Sequence, residues 1–152
     1  MLQTDMPQKE AFPTNISSRF AVAIHILSLL EMNKGGTNTS DFLASSVNTN
    51  PVVVRRIVSM LSRAGLVQVK SGVAGARLAK EASAITLLDI YRAVQVVEEN
   101  GLFAVHECPN PECPVGRSIQ SAILPVFVSA QRAMESELDR IRLTDILHSI
   151  PV

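Results

Sequence analysis

Asn50-Pro-Val-Val-Val-Arg-Arg-Ile-Val-Ser-Met-Leu-Ser-Arg-Ala-Gly65 decides the fold, with Leu66-Val-Gln-Val-Lys70, Ser71-Gly-Val-Ala-Gly75 and Ala76-Arg-Leu-Ala79 that follow it. Asparagine caps the free backbone donors of a starting helix, and proline fits the first helical position with no donor to lose. From there Val54, Ile57, Val58, Leu61 and Ala64 recur three or four apart as an apolar stripe. Val52, Val53, Arg55, Arg56, Ser59 and Arg63 are left to face outward or to the margins, an odd surface for a helix without a partner. Alternation over Leu66 to Lys70 predicts a strand, 71–75 a loop and Ala76 to Ala79 a second strand. Together these make a small β-hairpin.

Upstream, Ser17 is a plausible N-cap for a largely buried helix. Phe20, Ile24, Leu27 and Leu30 form one of its faces and Val22, Ile26 and Leu29 a second. It ends at Asn33-Lys-Gly-Gly36, where glycine supplies a left-handed cap and Lys34 sits at the negative end of the dipole. Thr39 or Ser40 caps a short helix through Val47, with Phe42, Leu43 and Val47 inward, and Asn48-Thr-Asn50 turns the chain into the proline-led helix. Helix, turn, helix and hairpin in this order predict a winged helix-turn-helix.

Downstream, Thr86 caps a helix carrying Leu87, Ile90, Tyr91 and Val94, and the chain is irregular from about Glu98 to Pro114. Ile119, Ile123, Val126, Ala130, Ala133 or Met134, Leu138 and Ile141 then continue at helical spacing. Roughly 27 residues make a rod of about 40 Å, too long to bury within so small a domain, so it is expected to pack on another subunit. Pro125 inside it should kink it. A terminal helix from about Leu143 to Ser149 starts at Thr144 or at the preceding turn. The expected class is mainly α with a small β-hairpin: a winged helix-turn-helix domain plus a long C-terminal dimerisation helix. The expected organisation is a flexible tail over 1–15, a DNA-binding domain over 16–97, a sensor-like loop over 98–114, and a dimerisation helix with a terminal helix over 115–152.

The 152 residues suit one domain with an appended element, and 47% apolar content with mean hydropathy of +0.23 excludes intrinsic disorder. The longest near-apolar run, Phe20 to Leu30, is broken by His25 and Ser28 and falls short of a membrane span; the N-terminus has no secretory pattern. A cytoplasmic location is expected. Net charge is zero, which alone argues against a polyanion partner, yet the distribution is uneven. From Phe42 to Lys80 the charged residues are all basic: Arg55, Arg56, Arg63, Lys70, Arg77 and Lys80. From Glu81 to Glu112 there are six acidic residues against Arg92 alone. A polyanion-binding half beside one that does not touch the polyanion is expected.

The chemistry suits double-stranded DNA. A helix fits the major groove, where arginine donates two hydrogen bonds to guanine and exposed valine meets a thymine methyl. Lys70 and Arg77 on the hairpin can lie along phosphates. The competing readings are a helical domain with solvated arginines, a winged-helix protein-interaction module without specific DNA binding, and an enzyme using Cys108 or Cys113 with His106. The last has no visible acid, base and oxyanion set, so no enzyme is expected. His25 reads as a core or interface histidine and Tyr91 as packed beneath the effector region.

From Ile16 to about Ile150 the chain resembles the Rrf-two family of bacterial winged-helix transcription regulators. That family includes the iron-sulfur cluster regulator, the cysteine-metabolism repressor and the nitrite-sensitive repressor. The matching stretches are Ile16-Ser-Ser-Arg-Phe-Ala21, Asn50-Pro51 with Ile57 to Val67, Gly75-Ala-Arg-Leu-Ala79, and Ile85 to Val94. The resemblance implies a homodimer built on the long helix, a palindromic operator with half-sites about one or two helical turns apart, and most simply a repressor. Ser18, Arg19, Asn50, Val52, Val53, Arg55, Arg56 and Ser59 are expected at or near DNA, with Lys70 and Arg77 of the wing on phosphate. A redox or small-molecule effector would act through the 98–114 loop, where His106, Cys108 and Cys113 are the candidates. Cluster-binding members carry three cysteines there, whereas this chain has two, so no cofactor is expected. Oxidation of the pair to a disulfide could reposition the DNA-binding halves. Glu107 and Glu112 nearby should raise the thiol pKa and slow that chemistry. Ala74-Gly-Ala76 stands where many members have Gly-Gly-Tyr, so no aromatic contact from the wing tip is expected.

Overall fold

The computed structural model describes residues 18–70, 75–94, 101–103, 105–106 and 109–151. The expected N-terminal tail and Ser17, most of the 71–75 loop, and Cys108 lie outside the described residues.

Helix α1 (Arg19–Met32) starts at Ser18, whose side chain makes no capping hydrogen bond. Ala23, Ile26, Leu27 and Leu30 are buried on it, and the buried Ser28 hydroxyl donates to the Ile24 carbonyl at 2.8 Å. Its C-cap is Asn33 at φ −106°, and left-handed geometry arrives two residues later, at Gly35 with φ +89°. His25 is exposed rather than a core residue, its Nε2 3.1 Å from the Ser46 hydroxyl.

Helix α2 (Ser40–Val47) is capped by Thr39, whose hydroxyl accepts from the Phe42 amide at 3.1 Å. Leu43 is buried as the spacing predicts, whereas Phe42 is 42% exposed and Ala44 takes the second inward position. The reason is angular: Leu43 and Ala44 are adjacent on the helix, and Phe42, one position earlier, is rotated towards solvent.

Asn48 turns the chain at φ 60°, and helix α3 (Pro51–Arg63) begins as its first two residues direct, with the Asn50 side chain accepting from the Val52 amide at 2.8 Å. Val54, Ile57 and Leu61 are at most 1% exposed. Ala64, expected on that stripe, is exposed, because the helix ends at Arg63 and the chain turns through Gly65 at φ +77°.

The hairpin is shorter than its alternation suggests. Strands β1 (Val67–Val69) and β2 (Ala76–Leu78) pair antiparallel, with Val67 opposite Leu78, Gln68 opposite Arg77 and Val69 opposite Ala76. A 3-10 turn over Ala82–Ala84 leads to helix α4 (Leu87–Val94). Thr86 and Asp89 cap it reciprocally: the Thr86 hydroxyl accepts from the Asp89 amide and the Asp89 carboxylate from the Thr86 amide, each at 3.0 Å.

Helix α5 (Pro114–Arg140) runs 27 residues, continuing as one helix through Pro125. The chain then returns to the first domain. The Leu87 amide donates to the Ile141 carbonyl and the Leu143 amide to the Ile85 carbonyl, both at 2.9 Å. Helix α6 (Leu143–His148) follows, with Leu143 fully buried in the same core as Ile26, Leu27, Ile57 and Ile90. Arg142, just before the helix, and not Thr144 is the N-cap of α6, and the Asp145 carboxylate accepts from the Arg142 amide at 2.8 Å. Among the described residues no helix is long and apolar enough to cross a membrane.

Candidate nucleic-acid interface

Burying Val54, Ile57 and Leu61 fixes the rotation of α3, and the opposite face is thereby set outward. Val52 is 55% exposed and Val53 39%, and Arg55, Arg56, Ser59 and Arg63 are exposed beside them. Arg63 Nη2 donates to the Ser59 hydroxyl at 3.3 Å along the helix. The ion pairs among the described residues involve Lys34 and Arg140, leaving the α3 guanidiniums outside any of them. Asn50 is exposed, but its side-chain oxygen is engaged in starting the helix. Ser18 is exposed at the start of α1, its carbonyl accepting from the Val22 amide, and Arg19 beside it is half-buried.

Cross-strand pairing places Arg77 opposite Gln68, and Arg77 Nε donates to Gln68 Oε1 at 3.1 Å. That bond holds the guanidinium along the outer surface of the hairpin. Lys70, just beyond β1, is exposed. A cavity of about 390 Å³ opens between the end of α1 and the hairpin, and its charged lining is Glu31, Lys34, Lys70 and Arg77.

The 33–38 turn reaches this cavity through Asn38, a residue the sequence reading passed over. Asn38 is 3% exposed. Its Nδ2 donates to the Ala76 carbonyl at 3.1 Å, its Oδ1 accepts from Asn33 Nδ2 at 2.8 Å, and its own carbonyl accepts from the Ala76 amide at 3.0 Å. An asparagine between a Gly-Gly turn and a helix cap looks like an ordinary turn residue; its partner lies 38 positions away and has no local signature.

The candidate effector residues are placed only in part. His106 is exposed, and its carbonyl accepts from Gln120 Nε2 of α5 at 2.7 Å. Cys113 is exposed at the N-cap of α5. Among the described residues no three His, Cys, Asp or Glu side chains converge as a metal site. Tyr91 packs edge-on against Phe20, ring centroids 5.5 Å apart, and its hydroxyl finds no partner among the described residues. Burial, and after it the Glu135 carboxylate, pushes the phenol above its ordinary range. Gln131 of α5, 4% exposed, was also missed: it accepts from the Leu102 amide at 3.1 Å and so ties the 101–103 segment to the long helix.

Helix α5 is apolar on a surface that none of the described residues covers. Val126 is 62% exposed, Leu124 44% and Ile119 37%. From Ser118 to Gln131 it carries no charged residue.

Residues 16–149 match the Rrf2 family, described as "Iron-dependent Transcriptional regulator". The chain belongs to the Rrf2 family. As a member it is a transcriptional regulator, not an enzyme, and the family implies DNA as its partner. YwnA of Bacillus subtilis (strain 168), assigned as an HTH-type transcriptional regulator, is 53% identical over 135 residues, covering 89% of this chain and 98% of YwnA. A crystal structure named for a DNA-binding protein shares 48% identity at TM-score 0.70, covering 86% of this chain and 99% of that one. The structure of CymR, the global cysteine regulator of B. subtilis, shares 24% identity at TM-score 0.63, covering 91% of this chain and 99% of CymR, and supports the fold. The two cysteines of this chain are fewer than the four thiolates that ordinarily hold an iron-sulfur cluster.

Proposed function

We propose that this Rrf2-family regulator works as a homodimeric repressor that lays α3 of each copy into successive major grooves of a palindromic operator. The observation that carries this reading is the outer face of α3, where Val52, Val53, Arg55, Arg56 and Ser59 stand exposed on a helix whose rotation is fixed by its buried stripe. Arginine there reads guanine, and the valines read thymine methyls. Ser18 and Arg19 lie at or near the DNA, and Asn50 starts the reading helix. Lys70 and Arg77 meet phosphate without reading sequence. The exposed apolar face of α5 supports pairing with a second copy of this chain, because two uncharged faces bury each other with no ion to desolvate. In this division of labour 16–97 contacts DNA, α5 within 115–152 pairs the copies while α6 packs back on the first domain's core, and a redox or small-molecule signal enters through 98–114, with His106, Cys108 and Cys113 as its first candidates.

Selection of duplexes from a random pool, followed by anisotropy titration in increasing salt under reductant and oxidant, tests this. A two-fold-symmetric consensus bound with a steep salt dependence is expected. Failure to enrich any duplex would favour a winged-helix module that binds protein. Equal affinity in both redox states would remove the thiols as sensor and leave a small molecule.

A further inference from the structure

The basic hairpin is joined to α3 through one short turn, and a two-stranded ribbon is marginal by itself. Val67 and Ala76 anchor it in the core, and the bonds of Asn38 fix where β2 begins. Its side-chain amide donates to the Ala76 carbonyl while its backbone carbonyl accepts from the Ala76 amide, so a single residue of the 33–38 turn engages both sides of the first β2 residue. Asn33 Nδ2 donates to Asn38 Oδ1 and orients the amide, which is buried and leaves its donor no water as an alternative. The approach is close enough to dictate the neighbour: a β-carbon at Gly75 would stand 2.8 Å from the Asn38 backbone nitrogen, and Gly75 sits at φ +114°. Arg77, paired with Gln68, is the next residue along, and Lys70 closes the other strand.

We propose that Asn38, with Gly75 opposite it, is the positioning residue of the wing: it fixes where Lys70 and Arg77 meet the phosphates while touching no DNA itself. This rests on the DNA-binding reading above. Asn38→Ala removes the side-chain bonds, Asn38→Asp keeps the acceptor for Asn33 but cannot donate to Ala76, and Gly75→Ala attacks the contact from the hairpin side. Binding of the selected duplex is titrated in salt for full-length wild type, these variants and K70A/R77A, with denaturation midpoints measured alongside. Each counterion-releasing contact contributes about 0.9 to the slope of log affinity against log salt, so loss of both wing cations from each of the two copies lowers it by about 3.6. All three latch variants should lower the slope by that same amount and weaken low-salt binding about tenfold. Asn38→Ala should cost nothing further in the K70A/R77A background yet add fully to R55A.

An unchanged slope in folded latch variants, or full additivity with K70A/R77A, overturns the proposal while leaving DNA binding intact. If Asn38→Ala does not fold, Gly75→Ala and Asn38→Asp decide by the same criterion. Wild type that shows no salt-dependent binding overturns the DNA reading itself, and the wing's role with it.

Discussion

Helices α3 and α5 both leave valines in solvent, and the difference between them separates two kinds of surface. On α3 the exposed Val52 and Val53 stand beside Arg55, Arg56 and Arg63, opposite a stripe buried to 1% or less. On α5 the exposed Val126, Leu124 and Ile119 lie in a run without charge, and Gln131 is the one residue of the helix that is buried among those described. Apolar groups mixed with cations suit a nucleic acid, which offers both methyls and phosphates. Apolar groups without charge suit another apolar surface, such as that of a second copy in the proposed dimer.

Substitutions can break this contrast. Leu61→Ala, on the buried side of α3, should cost about 2–5 kcal/mol through lost burial and the cavity left behind. Denaturant unfolding reads it, and a loss under about 1 kcal/mol would mean the stripe does not fix the rotation of α3. Leu124→Glu with Val126→Glu, on α5, should instead leave the secondary structure intact and, for the proposed homodimer, halve the mass in sedimentation; an unchanged mass would contradict α5 as the surface that pairs the copies. Arg55→Ala should leave both stability and mass alone and weaken specific DNA binding by about 1–3 kcal/mol, chiefly at one base position.

Much of α3 and its surroundings was legible before any coordinates because local chemistry specifies it. Asn50-Pro51 starts the helix, Thr39 and Thr86 cap theirs, and the three-and-four spacing of Val54, Ile57 and Leu61 names the buried face. What escaped depends on contacts between distant residues. Phe42 and Ala64 have the composition of core residues, yet helix rotation and helix termination send them to solvent. The bonds of Asn38 to Ala76, the return of Ile141 and Leu143 to Ile85 and Leu87, and the burial of Gln131 against Leu102 follow from tertiary packing. Of the candidate interface, the residues of α3 and the hairpin could be named in advance; the residue that holds the hairpin could not.

A smaller effect sharpens the same contrast at the junction of α4 and α5. The Tyr91 hydroxyl is buried without a partner among the described residues, so Tyr91→Phe should stabilise the protein by up to about 1 kcal/mol. A drop in the denaturation midpoint would instead reveal a hydrogen bond to that hydroxyl.

The most direct measurement is the stoichiometry of the complex by sedimentation, on a duplex carrying the full selected palindrome and on one carrying half of it. Two copies on the full site, with binding lost in R55A/R56A and sharply weakened on the half site, is the predicted result. One copy on the full site, or binding indifferent to Arg55 and Arg56, would contradict α3 as the reading helix of a dimer.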